Sequence, residues 1–206
     1  MDDDARIHPS ISLEDWLDRL AQPTGAPGGG AASGIMMATA ASLLHMVAAY
    51  TPDDERAVAA GGRLRRLRDD AVDAAQADGV RSAELGAALA HEEDDDRDRL
   101  VREAAIAAAG TSQRLGDVGM RLVDELHLIA GVGNPNLSAD LVVAAEALAA
   151  GLGGALTNLR ACVDLAEAHA GAGDEMPSRL ADAAASDPLI AAARVAAAEV
   201  AAEHAD

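Results

Sequence analysis

Three consecutive glycines, Gly28, Gly29 and Gly30, stand directly before the least charged stretch of the chain. Glycine lets a backbone come close to a ligand, and free amide N–H groups at a helix start are suited to a carboxylate or a carbonyl oxygen. A tight turn with close helix packing would use the same residues. Inside the following stretch lies His45, whose side chain is the one best tuned to move protons near neutrality. A lone histidine on an apolar helix also serves simply as a satisfied core residue. Further along, Asp140 falls in the first turns of a helix expected to be capped by Asn136, where either catalysis or dipole stabilisation would explain an acid. Asn158 follows eighteen residues later. That is five whole turns, so the two share a face but sit about 27 Å apart along the axis and cannot touch one reacting atom within a subunit. One of the two would meet a neighbouring subunit's site, or Asn158 would bridge buried backbone groups.

The elements that must hold these residues are helical. The chain has 206 residues, half of them apolar, with one Trp, one Tyr and no Phe. Its core must therefore be Ala, Leu, Val, Ile and Met. Alanine has the best helix propensity, and no alternating β-branched or aromatic run suggests a strand. The expected fold is all-α: one domain over residues 1–206, a bundle of about five long helices plus short terminal helices, with a buried central helix after the glycine-rich turn. Ser12 and Asp15 form a capping box for a short helix with Trp16, Leu17 and Leu20 on one side. Thr51 followed by Pro52, Asp53 and Asp54 predicts the start of a helix running to about Ala90. The charge run "HEEDDDRDR", 91–99, is read as a solvated turn rather than a metal site. A fourth helix spans about Asp98–Ala130, and Asp187 with Pro188 begins the last. The small-residue run "ALAAGLGGAL", 147–156, offers a face for a two-fold contact.

Composition also excludes. A net charge of -19 repels nucleic acid and anionic lipid. All 16 basic residues are arginine, which removes Schiff-base and phosphate-loop lysine chemistry. Ala31–Tyr50 is long enough to cross a bilayer, but no Arg lies between Arg19 and Arg56 to fix its topology and no second span is apparent. A core helix is expected instead. The single Cys162 allows no internal disulfide, and "MDDDARIHPS" is acidic where a secretory signal would be basic, so a cytoplasmic location is expected.

Two segments resemble a known family. "PTGAPGGGAASG", 23–34, is similar to the Pro-Gly-Gly-Gly-Ser signature of the formiminotransferase cyclodeaminase domain and its stand-alone relatives, the methenyltetrahydrofolate cyclohydrolases. "GNPNLSADLVVAAEALAAGLGGALTNLR", 133–160, resembles that family's second signature: Gly-Asn-x-Asn, an Asp shortly after, and an Asn about eighteen residues on. The order and separation of the two match, and Trp16-Leu17 sits where the family has an aromatic-Leu pair.

The resemblance implies an all-helical homodimer acting on a one-carbon unit held between two nitrogens of tetrahydrofolate. It implies no metal and no cofactor beyond that substrate. A carboxylate near the cationic carbon, a proton shuttle and a snug pterin slot would be needed. On this footing Asp140, His45 and Asp78 are the candidate catalytic residues, Asp78 because it matches an acid the family carries in its long third helix. Gly28, Gly29, Gly30, Asn134, Asn136 and Asn158 are the candidate substrate-binding residues. The sequence departs from the family at Ala31, Ala49, Ser82 and Cys162. Hydrolysis of 5,10-methenyltetrahydrofolate to 10-formyltetrahydrofolate is expected over cyclisation of 5-formiminotetrahydrofolate, since no formiminotransferase half is attached. A folate-binding or helical scaffold protein without that chemistry is the other class.

Overall fold

A computed structural model describes residues 11–24, 26–92, 96–171 and 177–205. The acidic N-terminal stretch and positions 93–95 of the charge run lie outside the described residues. Among the described residues there is no strand. The helices are α1 (Leu13–Leu20), α2 (Gly29–Ala49), α3 (Glu55–Leu89), α4 (Arg97–Val132), α5 (Ser138–Ala168), α6 (Ser178–Ala185) and α7 (Asp187–Glu203).

Helix α2 is the centre of the bundle because almost nothing on it needs water. It packs on α3, α4 and α5, burying Gly30, Ala31, Ser33, Gly34, Met37, Ala38, Ala40, Ala41, Leu44, Val47 and Ala48. Its hydroxyls turn inward on its own backbone: Ser33 Oγ donates to the Gly29 carbonyl at 2.7 Å, Thr39 to Ile35 at 2.9 Å and Ser42 to Ala38 at 2.8 Å. Side chains this small let the neighbouring backbones approach. A Cβ at Gly151 of α5 would lie 3.0 Å from the Ser33 carbonyl oxygen and 2.8 Å from Met37 Cγ, and one at Gly154 would collide with Ser33 Oγ. The run 147–156 thus spends its glycines on packing within the chain. A single buried cluster then draws in side chains from α2 through α7.

Several boundaries differ from expectation. α3 begins at Glu55, not after Thr51, because Asp54 accepts from the Arg56 and Ala57 amides. Thr51 is used elsewhere: its Oγ1 donates back to the Val47 carbonyl at 2.9 Å and accepts the Asn134 N–H at 3.1 Å. Asn136 does not cap α5. Asn134 accepts the Asn136 N–H at 3.0 Å, a single 3-10 turn covers Pro135–Leu137, and α5 starts at Ser138. Asp187 is the first residue of α7 rather than its cap, and binds Arg160 of α5 through both carboxylate oxygens at 2.5 and 3.0 Å. On α1 Ser12 caps as expected, its Oγ accepting the Asp15 N–H at 3.1 Å and donating to the Asp15 carboxylate at 2.7 Å, and Trp16 is buried, but Leu17 is half-exposed. A second helical stretch, Pro135–Ala168, is as long and apolar as α2, contrary to the expectation of one such segment. Its apolarity comes from alanines and leucines that pack on α2, α4 and α7.

Candidate active site

The N-terminus of α2 lacks an anion of its own. Gly28 precedes it without a side chain, and no acid lies in its first turn. The missing charge arrives from α3. Asp78, only 4% exposed, receives the Ala31 N–H on its carboxylate, where the positive end of the helix dipole favours it. Gly30 makes the approach possible, since a Cβ there would run into the Asp78 carboxylate. Two hydroxyls complete its surroundings: Thr111 of α4 lies 3.1 Å from Oδ1 and Ser82, one turn on along α3, lies 3.3 Å from Oδ2. Burial pushes the Asp78 carboxyl above the usual carboxylate range, against the pull of Thr111, Ser82 and the Ala31 amide.

Helix α5 supplies the opposite wall. A Cβ at Gly29 would lie 3.7 Å from Asn158 Nδ2 and 3.8 Å from its Oδ1, so the Asn158 amide faces the helix start. One turn later is Cys162, buried, its thiol pushed up to about 11 first by burial and then by the charge of Asp78. α1 closes the side: Trp16 packs on Ala75, one turn before Asp78, in a small cluster that Ala32 and Ile35 of α2 join. One end of the central helix therefore collects free amide hydrogens, a side-chain amide, a thiol and a carboxyl whose proton is held more tightly than usual. Such a set can face a cationic carbon, take a proton from water and return one to a departing nitrogen.

The matching family model is that of formiminotransferase-cyclodeaminase, over residues 12–168. The chain belongs to that family. The fold is that of a solved relative, the formiminotetrahydrofolate cyclodeaminase of Thermotoga maritima, with a TM-score of 0.78 at 21% identity, covering 95% of this chain and 96% of that one. No curated protein matches the sequence. The family match ends where α5 ends, so α6 and α7 lie beyond it.

In this member of the family the candidate residues divide between two ends of α2. Gly28, Gly29, Gly30, Asp78 and Asn158 gather at its start. Asn134 and Asn136 form the turn before α5 at its other end, tied to Thr51 by the Asn134 N–H. Asp140 stands in the first turn of α5, partly exposed, about 27 Å along that helix from Asn158. His45 is half-buried against Gly61 of α3, its Cδ2 3.8 Å from where a Cβ would stand, and lies about 22 Å along α2 from Gly30. Within one subunit neither Asp140 nor His45 reaches Asp78. Thr111 carries no spacing signal in the sequence: it opens "TSQRLG" beside Ser112, at the end of an alanine-rich run, and nothing there marks one hydroxyl over the other. Cys162 and Ser82 were visible only as departures from the family pattern.

Proposed function

We propose that this protein acts on the one-carbon unit that bridges two nitrogens of tetrahydrofolate, hydrolysing 5,10-methenyltetrahydrofolate to 10-formyltetrahydrofolate. The observation that carries the proposal is Asp78, a buried carboxyl with a raised pKa set against the amide-rich start of α2 in a formiminotransferase-cyclodeaminase chain. Asp78 takes the role of the shuttling acid and base. In its ionised form it steadies the amidinium cation and accepts a proton from the water that adds to the methenyl carbon. The resulting tetrahedral carbon bears a hydroxyl. Asp78 then returns its proton to the departing ring nitrogen as that C–N bond breaks, the hydroxyl proton leaves to solvent, and the formyl group remains on the other nitrogen. One proton is released overall. Asn158 and the Gly29 and Gly30 amides orient the pterin and the developing oxygen, and Cys162, held as a neutral thiol, shapes the slot without competing as a nucleophile. No metal or redox cofactor is assigned, and a homodimer is proposed as the working unit.

Decay of the methenyltetrahydrofolate absorbance above the spontaneous rate on adding pure protein tests the reading. Ammonia release from 5-formiminotetrahydrofolate, without methenyl decay, would assign the cyclisation instead. Binding of either compound without turnover would leave a folate-binding protein.

A further inference from the structure

Beside the Asp78 site a cleft of about 400 Å³ opens between α3, α4 and α6. Its lining contains Arg81, Thr111, Gln113 and Arg179, with Ile106 and Ala107 as an apolar wall. The cleft joins the candidate active site through one residue, because Thr111, which borders it, touches Asp78 Oδ1 at 3.1 Å. Arg81 lies three residues beyond Asp78 on α3, hence on the same side of that helix. The far wall is fixed: Gln113 Nε2 donates to Ser186 Oγ at 3.0 Å and to the Asp182 carbonyl at 3.4 Å, holding α6 in place.

The charge of the cleft is opposite to that of the chain. The protein carries 35 acidic and 16 basic side chains, yet this lining has two guanidinium groups and one carboxylate, Asp182. Arg179 has no ion-pair partner among the described residues. Arg81 pairs with Glu84 at 2.5 Å, both side chains more than two-fifths exposed, and an exposed pair of this kind holds its partners weakly. Both guanidiniums are therefore available to a ligand, and planar guanidinium is matched to carboxylate through paired hydrogen bonds.

Resting on the folate reading above, we propose that this cleft receives the aminobenzoyl-glutamate tail of the substrate, Arg81 and Arg179 binding its two carboxylates while Ile106 and Ala107 flank the ring. The pterin end then lies at Asp78, and Thr111 marks the junction. The tail adds affinity without taking part in proton transfer.

The test compares 5,10-methenyltetrahydrofolate with 5,10-methenyltetrahydropteroate, which lacks the glutamate. For the wild type the truncated substrate should show the higher KM. Arg179→Ala and Arg81→Ala should each raise KM for the complete substrate by roughly tenfold to a hundredfold, the scale of a lost charged hydrogen bond. Both variants should keep kcat and handle the truncated substrate as the wild type does. An unchanged KM on the complete substrate, or an equal rise on both, overturns the assignment while wild-type turnover leaves the folate reading standing. A wild type inactive on methenyl and formimino substrates alike overturns both.

Discussion

Thr111 Oγ1 lies between two acceptors, 3.1 Å from Asp78 Oδ1 and 2.8 Å from the Ala108 carbonyl oxygen. A hydroxyl has one proton to donate and lone pairs with which to accept. When Asp78 is ionised, Thr111 donates to it. When Asp78 is protonated, the carboxyl donates to Thr111, which turns its own proton to Ala108. Rotation of one O–H bond thus serves both protonation states, and no heavy atom moves. Thr111→Val removes that partner. Since Thr111 holds the Asp78 pKa down, the variant should shift the acidic limb of the kcat/KM profile to higher pH; a limb that stays in place would show that Thr111 does not tune Asp78.

Asp78→Asn should lower turnover by about 10² to 10⁴, the usual worth of a general acid or base, without lowering the melting temperature at neutral pH. The sign follows from the raised carboxyl pKa. Between the unfolded and folded pKa values the native state binds more protons, so this group makes stability fall as pH rises through that window and leaves it lower above. The variant should lose that dependence, as melting curves across pH would record. A steep drop in melting temperature would make Asp78 a structural residue.

Gly30 and Gly29 should respond oppositely to one methyl group. At Gly30 the added carbon meets the Asp78 carboxylate, whereas at Gly29 it finds Asn158 at an ordinary 3.7 Å. Gly30→Ala should cost about 1–3 kcal/mol, as overpacking does, and suppress turnover by displacing Asp78. Gly29→Ala should melt near the wild-type temperature. Urea titrations of the pair decide the point, and equal losses would contradict the packing described.

Cys162, with its thiol pushed up to about 11 and its side chain buried, should resist iodoacetamide at pH 8 in the folded protein and react on unfolding. As the chain has one cysteine, the mass of the intact protein reads the result. Rapid labelling in the folded state would place the thiol in an open slot.

Asp140→Asn separates a site made by one subunit from a shared one. With Asp140 about 27 Å along α5 from Asn158, turnover should stay near the wild-type value. A large loss in a variant that remains folded, with light scattering showing a dimer for both proteins, would mean that a second copy brings Asp140 to the reaction.

The helical fold and its central helix were legible in the sequence because both follow from composition: alanine without aromatics, and a charge-free stretch that no solvated helix could afford. The helix starts were harder. Thr51-Pro52 reads as the cap with Asp53 and Asp54 as first-turn acids, yet Asp54 caps α3 while Thr51 receives the Asn134 N–H from 83 residues away. Proximity at the site was less legible still. Asp140 and Asn158 could be placed along one helix by counting residues, but the meeting of Gly29, Asp78 and Asn158 depends on how three helices lie side by side. Thr111 was invisible for a related reason, since a helical hydroxyl ordinarily bonds its own backbone and only its neighbour across the bundle gives it another role.

Trp16 is the one tryptophan in the chain, and it rests on Ala75 in a cluster with Ala32 and Ile35 beside the start of α2. Tyr50, the one tyrosine, stands past the other end of that helix, about 30 Å away along its axis. Light emitted on excitation near 295 nm therefore originates beside Gly30 and Asp78 and nowhere else. The unmodified protein carries its own optical gauge of occupancy: a pterin entering the slot should quench that emission, while a ligand confined to the Asn134 turn should leave it unaltered.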